Sequence, residues 1–115
     1  MHSMWQWWIT TEGKSHVAKG VYTVPIHPGR ILKRELVARE LSANRLAISL
    51  RVPSGRISDI LNGKRSISPE TALRLARYFG TSATFWVNLQ ARYDLALADR
   101  ELGAKIALEV SKAAA

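Results

Sequence analysis

Between residues 41 and 65 the chain reads LSANRLAISLRVPSGRISDILNGKR, and the spacing of its apolar residues leaves few folds open. Leu46, Leu50, Val52, Ile57 and Ile60 recur at helical intervals on either side of a break, and Ala47 is small enough for two helices to cross at about 8–10 Å. Ser42 supplies a hydroxyl that accepts a hydrogen bond from an unpaired N–H of a first helical turn. Pro53-Ser54 opens a second helix, where proline sacrifices no intrahelical bond. Asn62-Gly63 closes it, because glycine takes the left-handed conformation at low cost. Two short helices joined by Arg51-Val52-Pro53 are the predicted result, which is the arrangement of a helix-turn-helix.

Five apolar positions and a glycine stop would also fit any hairpin of an all-helical domain. The polar side of the second helix separates the two readings. Ser54, Gly55, Arg56, Ser58 and Asp59 lie off the Ile57/Ile60 face, and Asn62, Lys64 and Arg65 follow directly. Short donors and an arginine there suit base edges in a DNA groove and the phosphates beside it. Ser42 and Asn44, at the start of the first helix, join this DNA-facing set. Charge points the same way. Of the formal net charge of +8, residues 27–80 hold +7 from eleven Lys or Arg against four Asp or Glu, residues 1–26 hold +1, and residues 81–115 hold none. A merely solvated basic face would also be positive, but charge gathered on the segment with the reading helix is what double-stranded DNA favours.

At 115 residues the chain is long enough for one self-sufficient core and too short for two. It contains no run of eighteen apolar residues, so neither a transmembrane helix nor a membrane partner is expected. Cysteine is absent, which removes disulfides and thiolate metal sites and is compatible with a reducing cytosol. Residues 1–25 form an N-terminal extension with Trp5, Trp7 and Trp8 near its start. Its apolar patch falls short of the roughly 7–15 residues of a secretory signal, and no Lys or Arg precedes it. Trp5, Trp7 and Ile9 alternate, and with the run Val21-Tyr22-Thr23-Val24 they would allow a short hairpin that is marginal alone. Three readings stay open for the extension: a flexible segment, a segment docked on the domain, or a contact surface for a partner.

The helix-turn-helix domain is expected over residues 26–103, and residues 104–115 as a tail. His27-Pro28-Gly29 leads into RILKRELVARE, where Ile31, Leu32 and Leu36 make a narrow apolar stripe. His27 takes a capping or local structural role in this reading, since His2, His16 and His27 have no metal-like spacing and no carboxylate cluster beside them. Ser68-Pro69-Glu70 is a strong helix start, and Ala72, Leu75, Ala76 and Phe79 then share one face up to Gly80. Thr81-Ser82 opens a last helix that is predicted to run to about Leu102, with a frayed or continuing tail past Gly103. Around that helix, at roughly 100° per residue, Phe85, Trp86, Leu89, Tyr93 and Leu97 make one stripe. Val87, Ala91, Leu95, Ala98 and Leu102 make a second on the opposite side, and polar residues including Gln90 and Asp94 separate the two. A helix at the edge of a small domain needs one buried face, so the second stripe is assigned to a homodimer interface. The alternative is that the chain's own N-terminal segment covers it. Five helices and no convincing strand give an all-α domain.

The carboxylates within residues 27–80 are Glu35, Glu40, Asp59 and Glu70, with no paired motif and no nucleophile beside a base. An enzyme acting on nucleic acid is therefore the disfavoured class, and neither cofactor nor metal is expected. In IHPGRILKREL, RISDILNGKRSIS and TALRLARYFGTSATFWVNLQARYDL, which span about residues 26–97, the chain resembles the HigA-type antitoxins, a branch of the Xre/lambda-repressor-like helix-turn-helix superfamily. The third segment is the most specific, because generic repressors of the superfamily do not usually carry it. The resemblance implies a five-helix lambda-repressor-like domain, a dimer, binding to the operator of its own operon, and neutralisation of a HigB-type toxin, a ribonuclease that cuts mRNA on the ribosome. A bacterial cytoplasmic, nucleoid-associated location goes with it. The alternative is a stand-alone helix-turn-helix repressor with no toxin partner. By the same resemblance Ser54, Gly55 and Arg56 correspond to base-reading positions, and Asn62, Lys64 and Arg65 to a phosphate-clamping loop. The toxin-binding surface is placed on the first helix around Arg30, Lys33 and Arg34, together with the extension. Two residues depart from the family pattern. Ala43 stands where Gln is frequent and removes a polar contact, and Arg51 stands where Gly is common and must tolerate the turn.

Overall fold

The computed structural model describes residues 24–114, and every regular element among them is an α-helix. In chain order these are α1 (Pro28–Ala38), α2 (Ala43–Leu50), α3 (Ser54–Leu61), α4 (Pro69–Phe79) and α5 (Ala83–Glu109). The all-α, five-helix expectation holds in number and order. Residues 1–23 of the Trp-bearing extension, on which the readings made above for it chiefly rest, lie outside the described residues, and Val24 and Pro25 at its end belong to no regular element.

Short polar groups start these helices. His27 Nδ1 accepts from the Gly29 N–H at 2.9 Å, Ser42 Oγ from Arg45 at 3.1 Å, Ser68 Oγ from Thr71 at 3.2 Å and Ser82 Oγ from Phe85 at 3.1 Å. The exception is α3, which begins after Pro53 with no side-chain cap. The capping role read for His27 is thus realised. Helices α1 to α4 also end alike: an N–H reaches back five residues, from Leu41, Val52, Lys64 and Thr81 to the carbonyls of Leu36, Ala47, Asp59 and Ala76, at 2.8–3.1 Å. The residue that turns the chain is left-handed in each case, with φ of 53° at Glu40, 61° at Arg51, 74° at Gly63 and 75° at Gly80. Glycine does this freely, whereas Glu40 and Arg51 each cost about 1 kcal/mol.

The core lies where the buried stripes meet, and Leu32, Leu46, Ile57, Ile60, Leu75 and Trp86 are the largest apolar side chains fully buried in it. Val52 is only partly buried and packs against the edge of this cluster. Phe79 meets Trp86 across the α4–α5 contact with ring centroids 6.1 Å apart, Phe85 packs edge-on against it from the same helix at 5.1 Å, and Trp86 Nε1 donates to Thr81 Oγ1 at 3.1 Å. Burying an indole removes roughly 200 Å² from water, worth about 5 kcal/mol. Buried Glu35 is neutralised by Arg39 at 3.2 Å, and the Arg39 guanidinium lies 4.8 Å over the Phe79 ring.

Close packing of α1 against the end of α3 positions the recognition unit. A Cβ built on Gly29 would overlap the carbonyl oxygen of Ile60, so only glycine lets α1 lie this close to the end of α3. At the other side of the fold α5 runs through Gly103 without a break to Glu109. No helix among the described residues is long and apolar enough to cross a membrane.

Candidate nucleic-acid interface

The polar set read from the sequence sits on α2, α3 and the loop after α3. Ser54 and Gly55 are exposed in the first turn of α3, Arg56, Ser58 and Asp59 are half-buried, and no acidic residue lies in that turn. A Cβ on Gly55 would meet nothing within 4 Å, so packing within the chain does not require glycine there. A bare surface at that point allows a groove wall to approach the backbone. Asn44 and Ser42 are exposed at the start of α2, and the Ser42 hydroxyl keeps its proton free to donate while its oxygen caps the helix.

Asn62, Lys64 and Arg65 are exposed on a loop anchored from below. The N–H of Ile67 donates to Gln90 Oε1 at 2.9 Å, and Gln90, itself buried, donates from Nε2 to Asp94 Oδ1 at 3.0 Å. His27 supports the same loop from α1: its ring meets Tyr93 edge-on with centroids 4.9 Å apart and lies next to Gly63. Burial holds the His27 pKa below its usual value, offset in part by a hydrogen bond with the Arg65 backbone and by the charge of Asp94. A neutral ring leaves Nδ1 free to accept from Gly29.

Arg56 does not stand out into solvent. Its side chain is 24% exposed, its Nε is buried with no hydrogen-bond partner among the described residues, and its Nη1 lies 3.7 Å from Glu70 Oε1. Glu70 Oε2 accepts from Arg74 Nε at 3.0 Å and pairs with Arg74 Nη2 at 3.0 Å, while Arg74 Nη1 donates to the Leu50 carbonyl at 2.9 Å. The i,i+4 pair of Glu70 and Arg74 is local to α4, whereas the contacts of Glu70 with Arg56 and of Arg74 with Leu50 join residues far apart in the chain and carry no signal in local spacing.

On α5, the stripe of Phe85, Trp86 and Leu89 is buried and Tyr93 and Leu97 are half-buried. Ala96 and Gln90 join that face, although the helical wheel placed Gln90 in a polar seam. Val87, Ala91, Leu95, Ala98 and Leu102 are exposed, and Ile106 extends the stripe by one more turn. Arg30, Lys33 and Arg34 are exposed on α1. Among the described residues no group of three His, Cys, Asp or Glu side chains could hold a metal ion.

A tight α2–turn–α3 unit with a polar, uncovered first turn on its second helix defines a helix-turn-helix domain of the lambda-repressor-like type. The helix-turn-helix family profile matches residues 32–86. Virulence-associated protein I of Dichelobacter nodosus is 48% identical over 77 residues, which cover 66% of this chain and 71% of that protein. The solved structure of an addiction module antidote protein of a HigA family, from Coxiella burnetii, is 51% identical and superposes with a TM-score of 0.76, covering 77% of this chain and 98% of that one. Pseudomonas aeruginosa antitoxin HigA, solved with the higBA promoter, is 43% identical with a TM-score of 0.77, covering 79% of this chain and all of that one, 100%. The chain belongs to the HigA-type branch of the helix-turn-helix proteins.

Proposed function

We propose that this chain is the DNA-binding antitoxin of a toxin–antitoxin pair, which represses its own operon as a dimer and neutralises a HigB-type mRNA-cleaving toxin. The observation that carries the reading is the uncovered first turn of α3, followed one helix length later by Asn62, Lys64 and Arg65 on an anchored loop. That arrangement fits insertion of Ser54, Gly55 and Arg56 into a major groove, with the loop and the start of α2 on the flanking phosphates. A relative solved with promoter DNA supports it. The stripe from Val87 to Leu102 is the dimer face: it is apolar and solvent-facing, and its alanines let two helices approach closely. The toxin is taken up on α1 around Arg30, Lys33 and Arg34 together with residues 1–26.

Two measurements test this. Binding to DNA upstream of the chain's own gene is read against an unrelated duplex, and the product of the neighbouring gene is co-expressed and tested for co-purification. Operator binding with no co-purifying partner would leave a stand-alone repressor, and no preference for the upstream DNA would overturn the whole reading. Removing residues 1–24 is expected to weaken toxin binding and leave operator affinity nearly intact. Unchanged toxin affinity would remove the extension from the toxin surface.

A further inference from the structure

We propose that Glu70, at the start of α4, is a specificity-determining positioning residue that holds Arg56 for base reading; this rests on Arg56 as the reader of a base. The two residues are fourteen positions apart and on different helices, yet the Arg56 Nη1 faces one carboxylate oxygen of Glu70. The other oxygen is held by the fork of Arg74, whose remaining nitrogen is tied to the Leu50 carbonyl at the end of α2. Glu70 is thereby fixed from behind, by the helix-turn-helix unit itself, while its free side meets the reader.

The geometry of Arg56 makes such support necessary. An arginine reads guanine with two parallel donors, and a flexible stem makes that pair expensive to order on binding. With Nε buried, the end of the guanidinium that carries Nη1 and Nη2 is what remains for a base. Each of those nitrogens bears two hydrogens, so Nη1 can face Glu70 with one and a base with the other. The 3.7 Å separation is a loose pair, and Glu70 is more than half exposed, so the contact orients the guanidinium without trapping it. A carboxylate in this place also opposes the phosphates of any DNA. It is tolerated where Arg56 finds its base and costs affinity where it does not, which widens the gap between correct and incorrect sites.

Selections on randomised duplexes, followed by affinities for the selected site, its single-base variants and an unrelated duplex, test this with Glu70→Gln, Arg56→Ala and the double variant. Arg56→Ala is expected to reduce discrimination at one base pair by roughly 5–150-fold. Glu70→Gln is expected to reduce it at the same base pair by roughly 3–10-fold and to raise affinity for the unrelated duplex about 2–5-fold at low salt. In the Arg56→Ala background, Glu70→Gln should change discrimination no further. A Glu70→Gln protein that keeps full discrimination while Arg56→Ala loses it would overturn the inference and leave Arg56 as the reader. Equal weakening on all duplexes with a lower melting temperature would also overturn it, since that is a purely structural role. If Arg56→Ala itself keeps every base preference, both the inference and the reading beneath it fall.

Discussion

The α2–α3 unit and the outer side of α5 both face solvent beyond what the core requires, and they do so with opposite chemistry. The first exposes short hydroxyls, an amide and cations, in the part of the chain that holds +7 of the charge. The second exposes Val87, Leu95, Leu102 and Ile106 in a part whose formal charges cancel. A phosphate backbone rewards the former through counterion release, and a second apolar surface rewards the latter through loss of hydration. On the proposed function, one small domain separates a reading surface from an assembly surface, and damage to either is expected to spare the other.

The sharpest break of that division is Leu95→Asp. The chain is expected to stay helical by circular dichroism, to show half the mass by light scattering, and to lose roughly 100-fold or more in operator affinity because two half-sites are no longer engaged together. A dimer that persists would move the interface elsewhere.

Next in size is the contrast within the reading surface itself. Arg56→Ala should cost about 1–3 kcal/mol of base discrimination, whereas Lys64→Ala should weaken binding to every sequence alike and reduce the slope of log affinity against log salt by about one unit. Identical selected sites for both variants and the parent would remove Arg56 from base reading.

A smaller effect is expected at the turn. Arg51→Gly relieves the left-handed strain and gives back part of that gain as unfolded-chain entropy, for a net stabilisation of about 0.5 kcal/mol. The urea midpoint should rise at constant slope, and operator affinity should stay put. An affinity loss would mean that the Arg51 side chain belongs to the reading surface.

The smallest effect lies at the seam between the two regions. Unfolded, His27 takes up a proton near its ordinary value of 6.5; folded, it does so only at lower pH. Acid therefore favours the unfolded chain, and stability is complete above about 6.5 and declines as pH falls through the folded value. Chemical denaturation across pH 5–8 should show this decline, flattened in His27→Gln.

What could be read from the sequence was local. Ser42, Ser68 and Ser82 cap the helices they precede, and Gly63 and Gly80 stop those they follow, because each acts on neighbours within a turn. Glu40 carried no such signal, since nothing in a glutamate announces a left-handed residue. The helical wheel separated the two faces of α5 but put Gln90 among the polar residues, because its partner, the Ile67 N–H, lies in the loop that follows α3. Glu70 was legible as a favourable charge at the start of a helix, not as the neighbour of Arg56. Gly103 weakens a helix by about 1 kcal/mol. That is too little to end one that otherwise runs from Ala83 to Glu109.

The unbroken course of α5 has a geometric consequence for the operator. Its inward and outward stripes are cut into one rod, so the angle between the domain and any partner helix is a phase set by residue count. A single residue inserted between Leu89 and Leu95 would swing Leu95, Ala98 and Leu102 about 100° around the axis. In the proposed dimer the two reading helices would then be turned away from successive turns of the same DNA groove, although every residue proposed to touch DNA is intact. Seven inserted residues would restore the angle to within about 20° and lengthen the rod by about 10 Å. In the proposed dimer the distance between half-sites is in this sense gauged by α5, at positions set apart from the proposed base-reading residues.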